Sequence, residues 1–176
     1  MKKSSPVFQS VRHLTVAAML TAISVVIGIF CKNFLNFGGG LFRITFENFP
    51  IILSGYCFGP VVGGLVGIAT DLISYLLSNQ VYPPNLIVTA GAFLIGFISG
   101  LLFRVPVRNR TLKIIFSASV AHLCGSVIVK SVGLYQFYGI AVLWRIPVYL
   151  VIASLEILFI CLLFRRKSFS KLIDKI

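Results

Sequence analysis

Long apolar runs separated by short polar breaks make up most of this chain. The runs cover residues 13–31, 46–59, 61–78, 86–103, 113–131 and 143–164. A helix needs about 20 apolar residues to cross a bilayer, and roughly 17–25 is usual, so five of the six runs are long enough. The 46–59 run is short, and only Gly59 and Pro60 separate it from the next run. The pattern therefore predicts six transmembrane helices, with five as the alternative.

The composition indicates an integral membrane protein. Hydrophobic residues make up 58% of the 176 residues and charged residues 11%, whereas an average globular chain carries about 25% charged residues. The net charge of +12 does not indicate nucleic-acid binding, because the basic residues lie between apolar runs instead of on one face. We therefore expect a single all-α membrane domain over residues 1–176, without a nucleic-acid partner.

The positions of the basic residues predict the orientation in the membrane. Twelve of the sixteen lie in the N-terminal tail up to Arg12, in the 104–113 loop and in the C-terminal tail from Arg165. Basic segments beside membrane helices stay in the cytoplasm, so we expect all three segments there. Two cytoplasmic termini require an even number of spans, which favours six over five. The loops predicted to face outward are then 32–45, 79–85 and 132–142.

The N-terminal sequence must also be compared with a cleavable signal peptide. The chain opens Met1-Lys2-Lys3, which is a basic start of the kind that signal peptides have. However, the apolar run from about Leu14 to Phe30 lacks a clear A-x-A cleavage site. We interpret this run as the first membrane helix.

The sequence contains no motif that indicates catalysis, a cofactor or a metal site. HExxH, GxSxG, Walker A and closely spaced acid pairs are all missing from it. The four cysteines, Cys31, Cys57, Cys124 and Cys161, lie far apart and form no CxxC pair. We interpret them as small buried apolar residues, with a disulfide or metal role as the alternative. We therefore do not expect an enzyme.

An arginine and a glutamate lie four positions apart in "LFRITFENFP", residues 41–50. An ionisable side chain in a membrane is costly, and it marks a candidate functional site. Arg43 and Glu47 form an intrahelical ion pair if the second helix begins early enough. Alternatively, one or both side chains face an outer cavity and bind a polar ligand.

Two further acidic residues and a histidine lie deep within the apolar runs. Asp71, midway along the third run, either hydrogen-bonds a neighbouring helix or lines the floor of a cavity near Tyr75. Glu156 and His122 are expected to serve helix packing as hydrogen-bonded groups in the core.

The outer end of the sixth run carries an arginine beside a tryptophan. Arg145 has a planar fork that suits a carboxylate, although an arginine at this depth can instead reach toward lipid headgroups. Tyr135, Tyr138 and Trp144 are either anchors at the membrane surface or stacking partners for a flat ligand. Asn85 ends the rigid "YPPN" turn and has both donor and acceptor capacity.

Small residues form two candidate helix-packing faces. Ala18 and Ala22 make an A-x-x-x-A pattern in the first run, and "GPVVGGLVGIATD" at 59–71 is richer still in small residues. Small residues four positions apart let membrane helices approach closely. Because such patterns are common in membrane helices, they do not by themselves identify a partner.

Several of these features together resemble a known family. Six predicted spans in 176 residues, two basic cytoplasmic ends and the A-x-x-x-A pattern are similar to the S components of energy-coupling factor (ECF) transporters. Among these, the chain most resembles the folate-specific FolT family. That resemblance rests on "LFRITF" at 41–46, Pro50, "FGPVVGGLVGIATDLISYLL" at 58–77, the proline-rich loop before the fourth span and "WRIP" at 144–147.

The resemblance implies a role in vitamin uptake at the bacterial cell membrane. An S component is a multi-pass protein that captures its vitamin from outside and has no ATPase activity of its own. It docks on a membrane scaffold subunit that carries two cytoplasmic ATPase subunits, and it then delivers the vitamin inward. Carried over to this sequence, Ala18 and Ala22 form the docking face, and Arg43, Asn85 and Arg145 belong to the pocket.

The chemistry of the candidate residues suits folate. A pterin presents an amino group and a ring N–H to a carboxylate, and Glu47 is the candidate acceptor. The candidates for stacking are Tyr75, Tyr135 and Trp144. The dianionic glutamate tail can pair with Arg43, Lys130 and Arg145. The alternatives are an S component for riboflavin, thiamine or another vitamin, and a membrane scaffold protein without a transport role.

Overall fold

The computed structural model describes residues 11–37, 42–78 and 83–166. The helices are α1 (Val11–Phe34), α2 (Asn48–Phe58), α3 (Pro60–Leu77), α4 (Leu86–Leu102), α5 (Arg110–His122), a π-helical segment (Leu123–Lys130), α6 (Ser131–Tyr138), a 3₁₀ segment (Gly139–Trp144) and α7 (Arg145–Arg165). The two basic tails up to residue 10 and from residue 167 lie outside the described residues, as do the loop residues 38–41 and 79–82.

The described chain is almost entirely helical, which confirms the predicted all-α class. Three of its helical stretches are long and apolar enough to cross a membrane: His13–Phe34, Pro60–Leu77 and the continuous stretch Arg110–Arg165. Two shorter apolar helices are Asn48–Phe58 and Leu86–Leu102. The number of crossings and the side on which the termini lie stay predictions.

A short hairpin that the sequence pattern does not predict lies between α1 and α2. Its strands β1 (Asn36–Phe37) and β2 (Phe42–Arg43) pair in an antiparallel arrangement, with Asn36 opposite Arg43. The backbone N–H of Ile44 donates to the carbonyl of Leu35 at 3.0 Å and extends this link by one hydrogen bond. The hairpin fixes the position of Arg43 just before α2.

The fifth helical stretch is longer than the apolar pattern indicates. Residues 110–138 are continuously helical, whereas the apolar run ends at 131. No proline interrupts residues 131–138. The α-helical geometry gives way to the 3₁₀ segment only at Gly139, whose φ of +54° favours glycine. The middle of this stretch is the π-helical segment, whose wider turn changes which side chains share a face.

Glycines allow α2, α3 and α4 to pack backbone against backbone. A Cβ on Gly63 would lie 2.6 Å from the carbonyl oxygen of Gly96, and a Cβ on Gly55 would lie 2.6 Å from the same atom. Gly59, with φ +93°, makes the turn between α2 and α3, and Pro60 then begins α3. Gly63, in the glycine-rich run at 59–71, therefore serves packing within the chain.

The largest fully buried apolar side chains lie in α2, α4, α5 and α7. They are Ile51, Ile52, Ile95, Ile114 and Ile160. Cys31 is buried and the other three cysteines are partly buried, and all four are free thiols. This agrees with their interpretation as apolar packing residues.

A buried polar contact joins three helices in this core. Glu156 of α7 is fully buried, and its Oε2 lies 2.9 Å from Nε2 of His122 in α5. This contact has the distance of an ion pair without the alignment of a good hydrogen bond. The other oxygen, Oε1, accepts from the backbone N–H of Phe49 in α2 at 3.2 Å. The arrangement agrees with the packing role expected for Glu156 and His122.

Candidate ligand-binding cavity

A cavity of about 380 Å³ lies between the helix ends that are predicted to face outward. The C-terminal ends of α1 and α3 and the N-terminal ends of α2, α4 and α7 contribute to its walls. The hairpin, the π-helical segment and α6 complete them. Ligand pockets usually measure about 300–1,000 Å³, so the cavity has room for a small molecule.

Most of the predicted ligand-binding residues meet in this cavity. Those that line it are Arg43, Glu47, Tyr75, Asn85, Lys130 and Arg145. Tyr135 and Trp144 do not line it, and their side chains are 58% and 69% exposed. Phe137 and Tyr138 take the cavity-facing positions of α6, so Tyr135 lies on another side of that helix. The structure gives no support to the stacking role predicted for Tyr135 and Trp144.

Other residues line the cavity without having been selected as ligand-binding residues. They include Lys32, Asn48, Asp71, Thr89, Ser126 and Tyr149. The sequence already makes Asp71 one candidate for the floor of a cavity near Tyr75, and helical spacing could have added Tyr149, which follows Arg145 by four residues. The others meet the cavity through the packing of separate helices, which no local pattern indicates.

Glu47 has a cation at each of its carboxylate oxygens. Arg43 Nη2 lies 3.1 Å from Oε2, and Lys130 Nζ lies 3.5 Å from Oε1. Lys130 also donates to Asn48 Oδ1 at 3.2 Å. Lys130 is the last residue of the π-helical segment, and Gly91 of α4 leaves room for it, since a Cβ there would lie 2.7 Å from Lys130 Cγ.

The backbone around Glu47 is held as firmly as its carboxylate. Ser24 of α1 donates to the Glu47 carbonyl at 2.5 Å, and the Glu47 N–H donates to the Thr45 hydroxyl at 3.3 Å. Gly28 of α1 leaves space for the carboxylate, because a Cβ there would lie 2.8 Å from Oε2. Glu47 therefore connects α1, the hairpin and the π-helical segment.

Asp71 contacts a neighbouring helix and faces the cavity at the same time. The Thr89 hydroxyl of α4 donates to Asp71 Oδ2 at 2.6 Å. Within the described part of the chain, Oδ1 has no hydrogen bond or ion pair. Tyr75, one helical turn further along α3, lines the same cavity. On the same wall, Lys32 of α1 donates to the carbonyl of Ser74 at 3.3 Å.

Arg145 is a buried cation at the cavity wall with unused donors. Its side chain lies between two aromatic rings, with Cζ 5.5 Å from the centroid of Tyr138 and 5.8 Å from that of Tyr149. The residue is only 5% exposed. Among the described residues, its Nε and Nη1 have no hydrogen-bond partner. A planar anion in the cavity would satisfy them.

Asn85 uses its amide group within the fold. Its Oδ1 accepts from the backbone N–H of Ile87 at 2.9 Å and caps α4. Its Nδ2 donates to the carbonyl of Gly133 in α6 at 2.6 Å. Asn85 lines the cavity. Because both ends of its amide group are hydrogen-bonded within the fold, its role is to shape the cavity wall.

The family of the protein follows from a match to a family model. The model for the substrate-specific component of ECF transporters matches residues 12–173. The chain therefore belongs to this family, whose members are substrate-binding components of transporters and not enzymes.

Two curated relatives are bacterial. The folate transporter FolT of Clostridium novyi (strain NT) is 30% identical over 83 residues, which cover 47% of this chain and 47% of that protein. The uncharacterized protein MG098 homolog of Mycoplasma pneumoniae is 31% identical over 111 residues, 58% of this chain and 22% of that protein. The chain thus spans about half and about a fifth of these relatives' lengths.

A solved structure shares the fold. The crystal structure of FolT bound with folic acid superimposes with a TM-score of 0.65 at 22% sequence identity. The match covers 87% of this chain and 90% of the other. The resemblance noted from the sequence and the helical membrane fold are thereby confirmed at the level of the family and the fold.

Proposed function

We propose that this chain captures folate in the cavity and hands it to an ECF transporter for uptake into the cell. The observation that carries the proposal is Arg145, a cation at the wall of a cavity that suits a small molecule, whose Nε and Nη1 have no hydrogen-bond partner in the described part of the chain. A buried arginine with unused N–H groups is costly unless an anion completes it. Folate brings two carboxylates on its glutamate tail. The FolT relative and the fold shared with folate-bound FolT support this choice of ligand.

The aromatic residues of the cavity suit the flat part of the same ligand. Tyr75 of α3, Tyr138 of α6 and Tyr149 of α7 all line it. Aromatic side chains stack on planar rings in an offset or edge-on arrangement. Among the described residues, the lining has four cations, Lys32, Arg43, Lys130 and Arg145, and two carboxylates, Glu47 and Asp71. The excess of positive charge favours an anionic ligand over a neutral or cationic one.

Uptake requires an orientation and a partner. We propose six spans with both termini in the cytoplasm, so that the cavity faces outward. Ala18 and Ala22 lie on the exposed side of α1, away from the cavity lining. This face is proposed to dock on the membrane scaffold subunit, and two ATPase subunits bound to that scaffold supply the energy.

Calorimetric titration of the purified protein in detergent tests the ligand. Heat is the better readout, because the single tryptophan, Trp144, is exposed outside the cavity. We expect a Kd for folate at or below about 1 μM, which corresponds to about −8.2 kcal/mol, and no comparable binding of riboflavin or thiamine. Absence of binding at micromolar folate would overturn the proposal, and preferential binding of riboflavin or thiamine would replace folate by that vitamin.

A matched pair of variants localises the binding to the cavity. Arg145→Gln removes the buried cation, and Arg108→Gln removes an exposed arginine at the opposite end of the molecule. Charge-assisted hydrogen bonds contribute about 1.5–3 kcal/mol, so Arg145→Gln should weaken folate binding by roughly 10- to 150-fold. Arg108→Gln should bind like the unmodified protein. If the protein is instead a membrane scaffold without a transport role, neither arginine change should affect its function, and Ala18→Trp should abolish that function.

A further inference from the structure

Two carboxylates of the described residues line the cavity, Glu47 and Asp71, and among those residues only Asp71 has an oxygen without a partner. Both oxygens of Glu47 face a cation, Arg43 on one side and Lys130 on the other. Of the two Asp71 oxygens, only Oδ2 has a partner among the described residues, the Thr89 hydroxyl at 2.6 Å. An ionised carboxylate has about four acceptor positions, so most of the acceptor capacity of Asp71 is unused.

The surroundings of Asp71 fix the direction in which it can accept. The hydrogen bond from Thr89 holds the carboxylate against α4, on the wall of the cavity. Tyr75 lies one turn further along α3 and lines the cavity too, so an acceptor and an aromatic ring share one face of this helix. Such a pair suits a flat heterocycle that stacks on the ring and donates from its edge.

A 2-amino-4-oxo-pteridine has the donor edge that this arrangement requires. Its exocyclic amino group and the adjacent ring N–H point in the same direction, and a carboxylate can accept from both. Glu47 would have to give up an ion pair to do so, whereas Asp71 would not. Bonds of this kind discriminate strongly, because a ligand without the donor leaves the half-buried Asp71 acceptor unpaired beneath the bound ring.

We propose that Asp71, and not Glu47, recognises the amino-pyrimidine edge of the ligand's ring. The inference rests on the proposed function. It adds the residue of the same cavity that distinguishes ligands with this donor edge from ligands without it. The ring then lies against α3, while the carboxylate tail pairs with Arg145 on α7. The ligand class is a planar heterocycle with two adjacent N–H donors and an anionic tail.

The test pairs a variant with a ligand analogue. Asp71→Asn is nearly isosteric and keeps one oxygen that can accept from Thr89, so the fold should be retained. The analogue is 2-desamino-folate, which lacks the exocyclic amino group that donates to Asp71. The unmodified protein should bind folate at least about tenfold more tightly than the analogue. Asp71→Asn should lose about ten- to a hundredfold in folate affinity and should bind both ligands almost equally.

The possible outcomes separate this inference from the proposed function. If the unmodified protein fails to bind folate, both are overturned. If it binds folate and Asp71→Asn keeps the full preference for folate over the analogue, only the role of Asp71 is overturned. Should Asp71→Asn not fold, the isosteric Thr89→Val releases the carboxylate from α4 and should reduce the preference for folate; an unchanged preference would count against Asp71.

Discussion

The two walls of the cavity that carry carboxylates are built differently. On the wall of β2 and α2, the Glu47 carboxylate lies between two cations, and its backbone is bonded to Ser24 of α1. On the wall of α3 and α4, Asp71 is bonded to one hydroxyl among the described residues, that of Thr89. The difference teaches that charge alone does not mark a binding residue. A carboxylate whose acceptors are occupied holds the structure together, and one with free acceptors is available to a ligand.

The cations of the cavity divide in the same way. Arg43 and Lys130 each contact an oxygen of Glu47, although the Nε of Arg43 has no hydrogen-bond partner among the described residues. Arg145 has no carboxylate partner among those residues, and both its Nε and its Nη1 lack a hydrogen bond. We therefore expect changes on the Glu47 side to appear mainly in the stability of the free protein. Changes at Arg145 and Asp71 should appear mainly in ligand affinity.

The largest effect is expected from Glu47→Ala, measured as unfolding of the ligand-free protein in detergent. Removing one partner of a buried ion pair leaves the others uncompensated, and such changes cost about 3–5 kcal/mol. Glu47→Gln keeps the shape and one acceptor, so its loss should be smaller. If Glu47→Ala leaves the unfolding transition unchanged but abolishes folate binding, Glu47 belongs to the ligand and the contrast between the walls fails.

A smaller effect of the opposite kind is expected from Arg145→Met. Among the described residues Arg145 has no anionic partner, and its guanidinium lies near two aromatic rings. Replacing such a buried cation by an apolar residue of similar length is neutral or stabilising, so the ligand-free protein should unfold at the same or a higher temperature. Folate affinity should nevertheless fall by about 1.5–3 kcal/mol. A clear drop in thermal stability without ligand would assign Arg145 to the fold and not to the site.

The smallest effect is expected outside the cavity. Tyr135→Phe and Trp144→Phe change exposed side chains, and surface substitutions usually stay within about 0.5 kcal/mol. Titration of each variant with folate should therefore give almost the unmodified Kd. A tenfold loss in either would return that residue to the stacking role that the sequence suggested.

The helices and the class of the molecule could be predicted from sequence because they depend on local chemistry. Apolar runs with few charges predict helices, and each of the six apolar runs overlaps a helix of the structure. The distribution of basic residues predicted that one end of the molecule carries Arg43, Asn85 and Arg145. All three line the cavity.

The assignment of roles within the cavity could not be predicted in this way. Glu47 and Lys130 are 83 residues apart, so no local pattern shows that the carboxylate is already occupied. The π-helical segment alters the helical register before α6, so regular spacing does not say which of Tyr135 and Tyr138 faces inward. In contrast, Asp71 and Tyr75 share a helical face by spacing alone.

The most direct measurement is an experimental structure of the detergent-purified protein with folate bound. The account predicts folate in the cavity, with a tail carboxylate at the guanidinium of Arg145 and the amino edge of the ring at Asp71. The Arg43–Glu47–Lys130 cluster should keep its contacts. Folate bound elsewhere, or a ring edge bonded to Glu47 with Lys130 displaced, would contradict the account.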